Sequence, residues 1–185
     1  MAEPSQMIEL LRSRRTIHNF TAEVPPIQLI EEAVEAARWA PNHHHTEPWH
    51  FFLLGPNAIS RIVNLNASLV AAKKGEEAGE AKRKRWSEVP GWLVVTCDRS
   101  DDALRQEEDY AACCCAVQNL SLALWAHGVG VKWTTGDVTR HPELFQLLGV
   151  DANRHRSVGI LWYGYPAEVP VQKRKPVDEI LTAVD

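Results

Sequence analysis

Several features of membrane, secreted and nucleic-acid-binding proteins are missing from this sequence. The apolar segment Ala111–Ala126 contains Gln118, Asn119 and Ser121, whereas a helix that spans a membrane needs about 18–20 nearly continuous apolar residues. The formal net charge of −4 gives no electrostatic reason to expect nucleic acid or an anionic membrane as a partner. The opening segment MAEPSQMIELLRSRR has no apolar core ahead of its charges, unlike a secretory signal. We therefore expect a cytoplasmic protein with no membrane and no nucleic-acid partner.

The placement of the cysteines argues against a disulfide framework. The four cysteines are Cys97 and the run Cys113–Cys115. Adjacent residues on one helix point in different directions, so this run can form neither a set of disulfides nor a metal cage. Buried thiols in a reducing compartment are the expected state. Apolar residues make up 45% and charged residues 24% of the chain, which is the composition of a globular protein. A length of 185 residues suits one domain, so we expect a single domain over residues 1–185.

What the sequence does contain is a long unit, Glu107–Asp137, around which the rest of the chain is expected to be organised. Its apolar part has no clear polar face, which predicts a helix buried on nearly every side. His127-Gly128 is expected to end that helix, because glycine adopts the left-handed conformation that closes a helix. Val129–Thr134 is predicted to be a buried strand. It leads into a loop, Thr135-Gly136-Asp137, that is placed to contact a ligand.

Hydrophobic periodicity predicts further helices and strands on both sides of that unit. The predicted helices are Met7–Arg14, Ile27–Trp39, Ala58–Ala71 and Pro142–Leu148, and a terminal amphipathic stretch follows Pro176. The predicted strands are His50–Gly55, Trp92–Cys97 and Arg156–Tyr165. The charged segment Lys73–Arg85 is either a solvated helix or a mobile flap. This order is that of an α+β or α/β sandwich with one sheet and helices around it.

Two basic clusters lie near opposite ends of the chain. The first is Arg14-Arg15-Thr16, and the second is Lys173-Arg174-Lys175. Guanidinium groups with a neighbouring hydroxyl are suited to binding a phosphate. The alternative is a solvated basic helix end, which is favourable beside the negative end of the helix dipole. From the residues alone both interpretations stay open.

The turn PNHHHTEPW, after the second predicted helix, holds the three consecutive histidines His43, His44 and His45. Zinc sites usually draw ligands from spaced positions, and no second cluster of ligands is evident in the sequence, so we expect no metal. Ring nitrogens that line a ligand pocket are the favoured interpretation of the run. A metalloprotein built on this cluster is the alternative.

Five segments, taken together and in order, resemble the nitroreductase family of flavin proteins. They are SRRTIHNF, APNHHHTEPWHFFLL, YAACCCAVQNLSLALWAHGVGVKWTTG, VGILWYGYP and KRKPVDEI. They cover most of the chain and look most similar to the compact, single-domain branch of the family. The resemblance implies an α+β fold, a three-layer sandwich whose mostly antiparallel central sheet is flanked by helices. It also implies an intertwined homodimer with one FMN at each end of the subunit interface.

The resemblance further implies which residues contact the cofactor. Arg14, Arg15 and Thr16 match the segment that holds the FMN phosphate and ribityl oxygens, and Arg174 matches a basic residue that meets the phosphate. The other implied cofactor-binding residues are His18, Trp39, Asn42, His43, His45, Trp133, Thr134, Thr135 and Gly136. No catalytic acid or base is expected, because the flavin performs the hydride chemistry. FMN is expected rather than FAD, because the chain has no G-x-G-x-x-G pyrophosphate motif.

The activity implied by the resemblance is transfer of a hydride from NADH or NADPH through FMN to a nitroaromatic, a quinone or a similar small-molecule acceptor. The sequence leaves the acceptor and the preferred nicotinamide open. Two other functions are compatible with the same fold. One is a specialised flavin-dependent dehydrogenase or reductase of a biosynthetic pathway, and the other is a flavin-binding protein with low turnover.

Overall fold

The computed structural model describes residues 3–184, and there the predicted order of helices and strands is confirmed. The helices are α1 (Pro4–Ser13), α2 (Ile27–Ala37), α3 (Pro56–Lys74), α4 (Glu76–Ser87), α5 (Ala103–Ala126) and α6 (Pro142–Leu148). The strands are β1 (Trp49–Leu53), β2 (Gly91–Asp98), β3 (Gly130–Thr134) and β4 (His155–Gly164). Short 3-10 turns cover His43–His45, Asp137–Arg140 and Val177–Glu179. Within the described residues no helix is long and apolar enough to cross a membrane.

The four strands form one sheet in the order β1-β2-β4-β3, and every neighbouring pair is antiparallel. The two central strands are the most buried, since residues 91–97 of β2 and 158–164 of β4 are all buried. This buried, aromatic-rich and β-branched composition is typical of strands covered on both faces. The α+β class with an antiparallel sheet is therefore confirmed, while the homodimer stays a prediction.

Alternation along β2 divides the interior into two cores, one on each face of the sheet. Leu93 and Val95 belong to the core that includes α2 and α5. Trp92 and Val94 belong to the core that includes α3, α4 and α6. Successive side chains of a strand point to opposite faces, so each central strand contributes to both cores. The molecule is consequently a three-layer sandwich of helices, sheet and helices.

Helix α5 is buried on one face only, and the prediction of a helix covered on nearly every side is wrong for the single chain. Its buried residues recur at helical spacing along the side that faces the sheet and α2. On the opposite side Ala111, Cys115 and Gln118 are exposed. The expectation of buried thiols is also corrected at this face: Cys97 and Cys113 are buried, but Cys114 is only half-buried and Cys115 is exposed.

The segment Lys73–Arg85 is helical except at Gly75, so the alternative of a mobile flap is wrong. Gly75 has a φ of 90°, and it separates α3 from α4. The two helices approach closely at Gly79, where an added Cβ would lie 2.8 Å from the Ala67 carbonyl oxygen. Trp86, near the end of α4, is buried against Trp92. The charges of α4 lie in solvent, while these small and aromatic residues fix the helix on the fold.

Candidate functional site

The two basic clusters meet in one cavity of about 300 Å³. Its lining residues are Arg14, Arg15, Thr16, His18, Gln172 and Arg174. We call this the basic cavity. Sequence reasoning missed Gln172, because a single glutamine in an irregular tail carries no recognisable signal.

Backbone pairing brings the first basic cluster to the sheet. Arg14 follows the last residue of α1, and Thr16 then forms a parallel bridge with Val131 of β3. The Ile17 N–H donates to the Val131 carbonyl at 3.1 Å, and the Ile17 side chain is fully buried. Burial of this isoleucine fixes the segment against β3, so that Arg14 and Thr16 stand beside the strand.

The C-terminal tail reaches the same place by pairing with the residues that follow. The Ala167 N–H donates to the Asn19 carbonyl at 3.0 Å, and the Thr21 N–H donates to the Tyr165 carbonyl at 2.9 Å. The Asn19 side-chain amide donates to the Glu168 carboxylate at 2.8 Å. Through these bonds the chain that follows β4 runs alongside residues 19–21. Further along the tail, Arg174 lies beside Arg14 in the basic cavity.

The positive charges of the basic cavity, together with burial, lower the pKa values of two of its own side chains. Burial lowers the pKa of Arg14, and the positive charges of Arg15 and Arg174 lower it further. Burial also lowers the pKa of His18, and the charge of Lys132 adds to that effect. Like charges that depress one another's protonation are stabilised when an anion binds between them. The cavity is therefore suited to a phosphate or another oxyanion.

A narrower groove of about 150 Å³ continues from Arg14 and Thr16 along the start of β3 and the side of α5. Its other lining residues are Cys114, Val117, Gln118, Ser121, Val131 and Trp133. Cys114, Val117, Gln118 and Ser121 were missing from the sequence-based site, because they lie in a segment whose composition predicts only a core helix. The groove offers an apolar floor next to the cationic cavity.

Trp133 is held in place at the far end of this groove. Its indole N–H donates to the Val158 carbonyl at 3.0 Å. The ring covers Gly159, where an added Cβ would lie 2.3 Å from the indole nitrogen. Only glycine leaves room for this arrangement, and its φ of 153° is also one that other residues rarely adopt. A flat, fixed aromatic edge therefore borders the groove.

Thr134, Thr135 and Gly136 follow Trp133 at the end of β3. The Gly136 carbonyl accepts from the Thr139 N–H at 2.9 Å and from the Thr139 hydroxyl at 2.8 Å. The guanidinium of Arg140 donates to the Thr135 carbonyl at 3.3 Å. These bonds give the loop after β3 a defined shape, with Thr135 and Gly136 exposed.

Trp39, Asn42, His43 and His45 lie outside these two cavities, and none of the four lines either of them. Trp39 is 75% exposed. The Asn42 side-chain oxygen accepts from the Glu47 N–H at 2.7 Å, which closes the turn on itself. His43 and His45 are exposed on that turn. Within a single chain, the structure does not bring these residues to Arg14.

The histidine-containing turn is anchored on the N-terminal half of α5. The Thr46 hydroxyl donates to the carboxylate of Asp109, which is buried. Three residues of the turn have a positive φ without being glycine: His44, His45 and Glu47. Such a conformation costs free energy in most residues and persists where surrounding contacts enforce it. The buried Asp109 supplies such a contact.

Two groups of side chains place possible metal ligands near one another. The ring nitrogens of His43 and His44 lie within 4.8 Å of each other and of the Glu108 carboxylate. His50 and His155 are arranged in the same way around Asp98. No second ligand cluster is evident in the sequence; the structure brings the single carboxylate of Glu108 to the histidine run. The expectation that the site holds no metal stays a prediction.

A family model, a relative of similar sequence and a solved structure point to the same family. The nitroreductase family matches residues 11–165 of the chain. The Bacillus subtilis protein named "Putative NAD(P)H nitroreductase YfhC" is 32% identical over 183 residues, a match that covers 96% of this chain and 94% of that protein. The solved structure of a nitroreductase-like family protein from Bacillus cereus has a TM-score of 0.85 and 29% identity, and the match covers 100% of this chain and 99% of the other.

A second solved structure shares the fold at lower identity. It is the Desulfovibrio desulfuricans protein described as a "putative nitroreductase in complex with fmn", with a TM-score of 0.76 and 21% identity over 100% of this chain and 99% of the other. The family match includes the basic-cavity residues at the start of the chain and the α5 and β3 residues that line the groove, while Gln172 and Arg174 lie beyond it. This chain belongs to the nitroreductase family, a family of oxidoreductases.

Proposed function

We propose that the protein is a homodimeric, FMN-dependent oxidoreductase that takes a hydride from NADH or NADPH and passes it to a nitroaromatic, a quinone or a similar small-molecule acceptor. The observation that carries the proposal is the meeting of Arg14, Thr16 and Arg174 in a cavity that continues into the groove beside Trp133. The FMN complex of the Desulfovibrio desulfuricans relative and the NAD(P)H in the name of the Bacillus subtilis relative support it.

The donor set of the basic cavity fits the phosphate end of FMN. Two guanidinium groups and a hydroxyl can each donate to phosphate oxygens, and hydrogen bonds with two charged partners are about twice as strong as neutral ones. A bound dianion would also relieve the repulsion that lowers the pKa of Arg14. Arg14 and Arg174 are accordingly proposed to hold the phosphate, with Arg15, Thr16 and His18 around it.

The lining of the groove is suited to the ribityl chain and to one edge of the ring system. Gln118 offers its side-chain amide to the ribityl chain, and Val131 offers an apolar surface beside β3. The buried Ser121 hydroxyl donates to the Val117 carbonyl and keeps an acceptor lone pair. Trp133 and the backbone of Thr134, Thr135 and Gly136 are proposed to border the ring system. The flavin supplies the hydride chemistry when bound, and the protein binds it, orients it and leaves one face open to donor and acceptor.

A second copy of the chain is proposed to cover the exposed side of α5. That side presents Ala111, Cys115, Gln118, Leu122 and Trp125 at the spacing of one helical face. On α1, whose residues lie next to α5, Met7, Ile8 and Leu11 are each nearly half exposed. Exposed apolar patches of this kind mark interfaces between proteins.

The C-terminal tail and the histidine turn are also consistent with two copies. Val171, Ile180 and Leu181 in the tail are 70–90% exposed, so these large apolar side chains lack cover within their own chain. Trp39, Asn42, His43 and His45 are proposed to contact the FMN held by the other copy, since they do not line the basic cavity of their own. Each cofactor would then lie between two subunits.

Purified protein tests the function and the assembly. We expect a yellow protein whose flavin, released by denaturation, is FMN, and whose absorbance bleaches within seconds when NADH or NADPH is added without oxygen. Light scattering at micromolar concentration is expected to give twice the chain mass of 20.8 kDa. Bleaching without later reoxidation by any nitroaromatic or quinone would contradict the acceptor class. Bound flavin that neither nicotinamide bleaches would favour a binding protein instead.

A further inference from the structure

A separate cavity, of about 310 Å³, lies beyond the other end of β3 from the basic cavity. Small-molecule sites occupy about 300–1,000 Å³, so it is large enough for a compact ligand. It is enclosed by the first turns of α5, the start of β4 and the segment from Thr135 to Phe145. Its lining residues are Arg99, Gln106, Tyr110, Thr135, Thr139, Arg140, Pro142, Phe145, Ala152, Arg156, Ser157 and Val158. We call it the arginine cavity.

Three arginines reach this cavity, and none of its lining residues is acidic. Among residues 3–184 the arginines in ion pairs are Arg38 and Arg83. The charge of Arg140 contributes to lowering the pKa of Asp137, but the ion pair of that carboxylate is with Lys73. A cluster of unpaired cations with low-dielectric walls on one side attracts anions. The charge of the arginine cavity thus selects for a negatively charged ligand.

Backbone carbonyls hold two of these arginines in place. The Arg99 Nε donates to the carbonyls of Ala152 and His155, each at 3.0 Å. Arg140 donates to the Thr135 carbonyl at 3.3 Å. A guanidinium has five N–H donors, so these bonds orient the groups and leave other donors for a ligand. A neutral carbonyl does not cancel the charge.

Arg156 is positioned by an aromatic ring instead. Its guanidinium carbon lies 4.1 Å from the centre of the Tyr110 ring. Stacking on an aromatic face leaves the edge of the guanidinium free for a planar, bidentate partner such as a carboxylate. Pro142, Phe145 and Val158 supply apolar surface in the same cavity. A ligand with both an anionic group and an apolar body matches this lining.

Ser157 adds an independent sign of a missing partner. Its hydroxyl oxygen is buried and has no hydrogen-bond partner among the described residues. A buried hydroxyl without a partner costs free energy, and such groups are rare in folded proteins. The residue lies on the wall of the arginine cavity. Because the oxygen is shielded from solvent, a change of the Ser157 rotamer would let the hydroxyl donate to a ligand oxygen in the cavity.

The arginine cavity and the groove lie on two sides of one wall. Trp133 lines the groove, and its indole N–H bonds to the carbonyl of Val158, which lines the arginine cavity. One turn apart on α5, Tyr110 lines the cavity and Cys114 lines the groove. A ligand in the cavity would therefore contact the wall that borders the proposed flavin site.

We propose that the arginine cavity binds a small organic anion, namely a compact aromatic carboxylate held by Arg140 and Arg156 with its ring against Phe145. The site is assembled from one chain and from residues other than those proposed to bind FMN, apart from the shared Thr135. The inference therefore stands independently of the proposed flavin chemistry. Failure of FMN binding would leave it untouched.

The test is isothermal titration of the purified protein with benzoate, its neutral analogue benzamide, and inorganic phosphate. Benzoate is expected to bind at least about tenfold more tightly than either of the others, because one lacks the charge and the other the ring. Equal affinity for benzamide would show that the arginines play no part. Equal affinity for phosphate would show that only charge is recognised, and would overturn the assignment to an aromatic carboxylate.

Substitutions locate the binding event. Arg156→Gln and Arg140→Gln are each expected to weaken benzoate by about tenfold. The matched control is Arg154→Gln, which removes an exposed arginine two residues from Arg156 that does not line the cavity. Its effect on benzoate affinity should stay below about twofold, because exposed charges are screened by salt. Arg140 lies on an exposed turn, so its variant keeps the test available if Arg156→Gln disturbs β4.

Ser157→Ala separates ligand binding from folding. It removes an unpaired polar group, so the unfolding temperature without benzoate should be unchanged or higher, while benzoate affinity falls. A lower unfolding temperature with unchanged benzoate affinity would show that the hydroxyl serves the fold. No benzoate binding by the wild type would overturn the proposal. So would a loss on Arg14→Ala as large as that on Arg156→Gln, which would place the anion in the basic cavity.

Discussion

FMN binding is expected to depend on two arginines from opposite ends of the chain. Arg14→Ala and Arg174→Ala each remove one guanidinium from the basic cavity. Both residues lie outside the helices and strands, so neither change should prevent folding. The matched control is Lys84→Ala, which removes an exposed positive charge from α4 at a position that lines neither cavity nor groove. Lys73 is a poorer control, because its ammonium pairs with Asp137 beside Gly136.

The expected losses follow from the surroundings of each arginine. A hydrogen bond to a charged group contributes about 1.5–3 kcal/mol, which corresponds to about a ten- to hundredfold change in affinity. Arg14 is half-buried, and burial is the main cause of its lowered pKa, so its loss should lie near the upper end. Arg174 is exposed, and its contribution is screened by salt, so about tenfold is expected. Because the two cations repel one another, the double variant should lose less than the product of the single losses.

The assay is titration of apo-protein with FMN and with riboflavin, followed by quenching of flavin fluorescence. Riboflavin lacks the phosphate, so its affinity should be nearly the same in wild type, Arg14→Ala and Arg174→Ala. The Lys84→Ala protein should resemble wild type with both ligands. Equal losses of FMN and riboflavin would mean that the arginines support structure rather than phosphate. Unchanged FMN affinity in both arginine variants would place the phosphate elsewhere and refute the reasoning.

Three further predictions concern the fold and its response to pH. Trp92→Phe should lower the free energy of unfolding in urea by about 1 kcal/mol more than Trp162→Phe does. The reason is that the buried Trp92 N–H donates to a carbonyl at 3.3 Å, whereas the buried Trp162 N–H has no partner among the described residues. Equal losses would contradict this reasoning. Gly91→Ala should lower the free energy of unfolding by about 1–3 kcal/mol in the same assay, since the added Cβ would lie 2.1 Å from the Tyr163 ring. An unchanged free energy of unfolding would mean that the ring moves aside. Burial and neighbouring cations lower the pKa of His18 in the folded protein. The apo-protein should therefore lose thermal stability as the pH falls below about 6.5, the pKa of histidine in the unfolded chain. His18→Gln should reduce that loss, and an unchanged pH profile would argue against a lowered pKa.

Secondary structure was largely predictable because its signals are local. Helix α6 has the predicted bounds, Pro142–Leu148, since proline favours the first helical turn and Gly149 adopts a left-handed conformation at the end. The continuous apolar run of β2 likewise predicted a covered strand. The charged segment Lys73–Arg85 was ambiguous, because what fixes α4 is Gly79 against α3 and Trp86 in the core, and few of its residues are apolar.

The candidate site was predictable only through the family resemblance. Nothing in the local sequence distinguishes Arg14 and Arg174 from solvated basic residues. Their meeting depends on two long-range pairings, Ile17 with Val131 and Ala167 with Asn19. The groove residues of α5 could not be separated from core residues, because a segment apolar on most sides does not reveal which side stays uncovered.

The sequence by itself determined the order of helices and strands, the antiparallel sheet implied by the resemblance, and the family to which the chain belongs. These follow from periodicity, capping residues and motifs that are continuous along the chain. Only the tertiary structure decided which charges share a cavity. Arg99, Arg140 and Arg156 come from three separate segments, and no sequence spacing brings them together. They converge because β4 lies between β2 and β3 in the sheet, and strand order is set by the packing of the whole core.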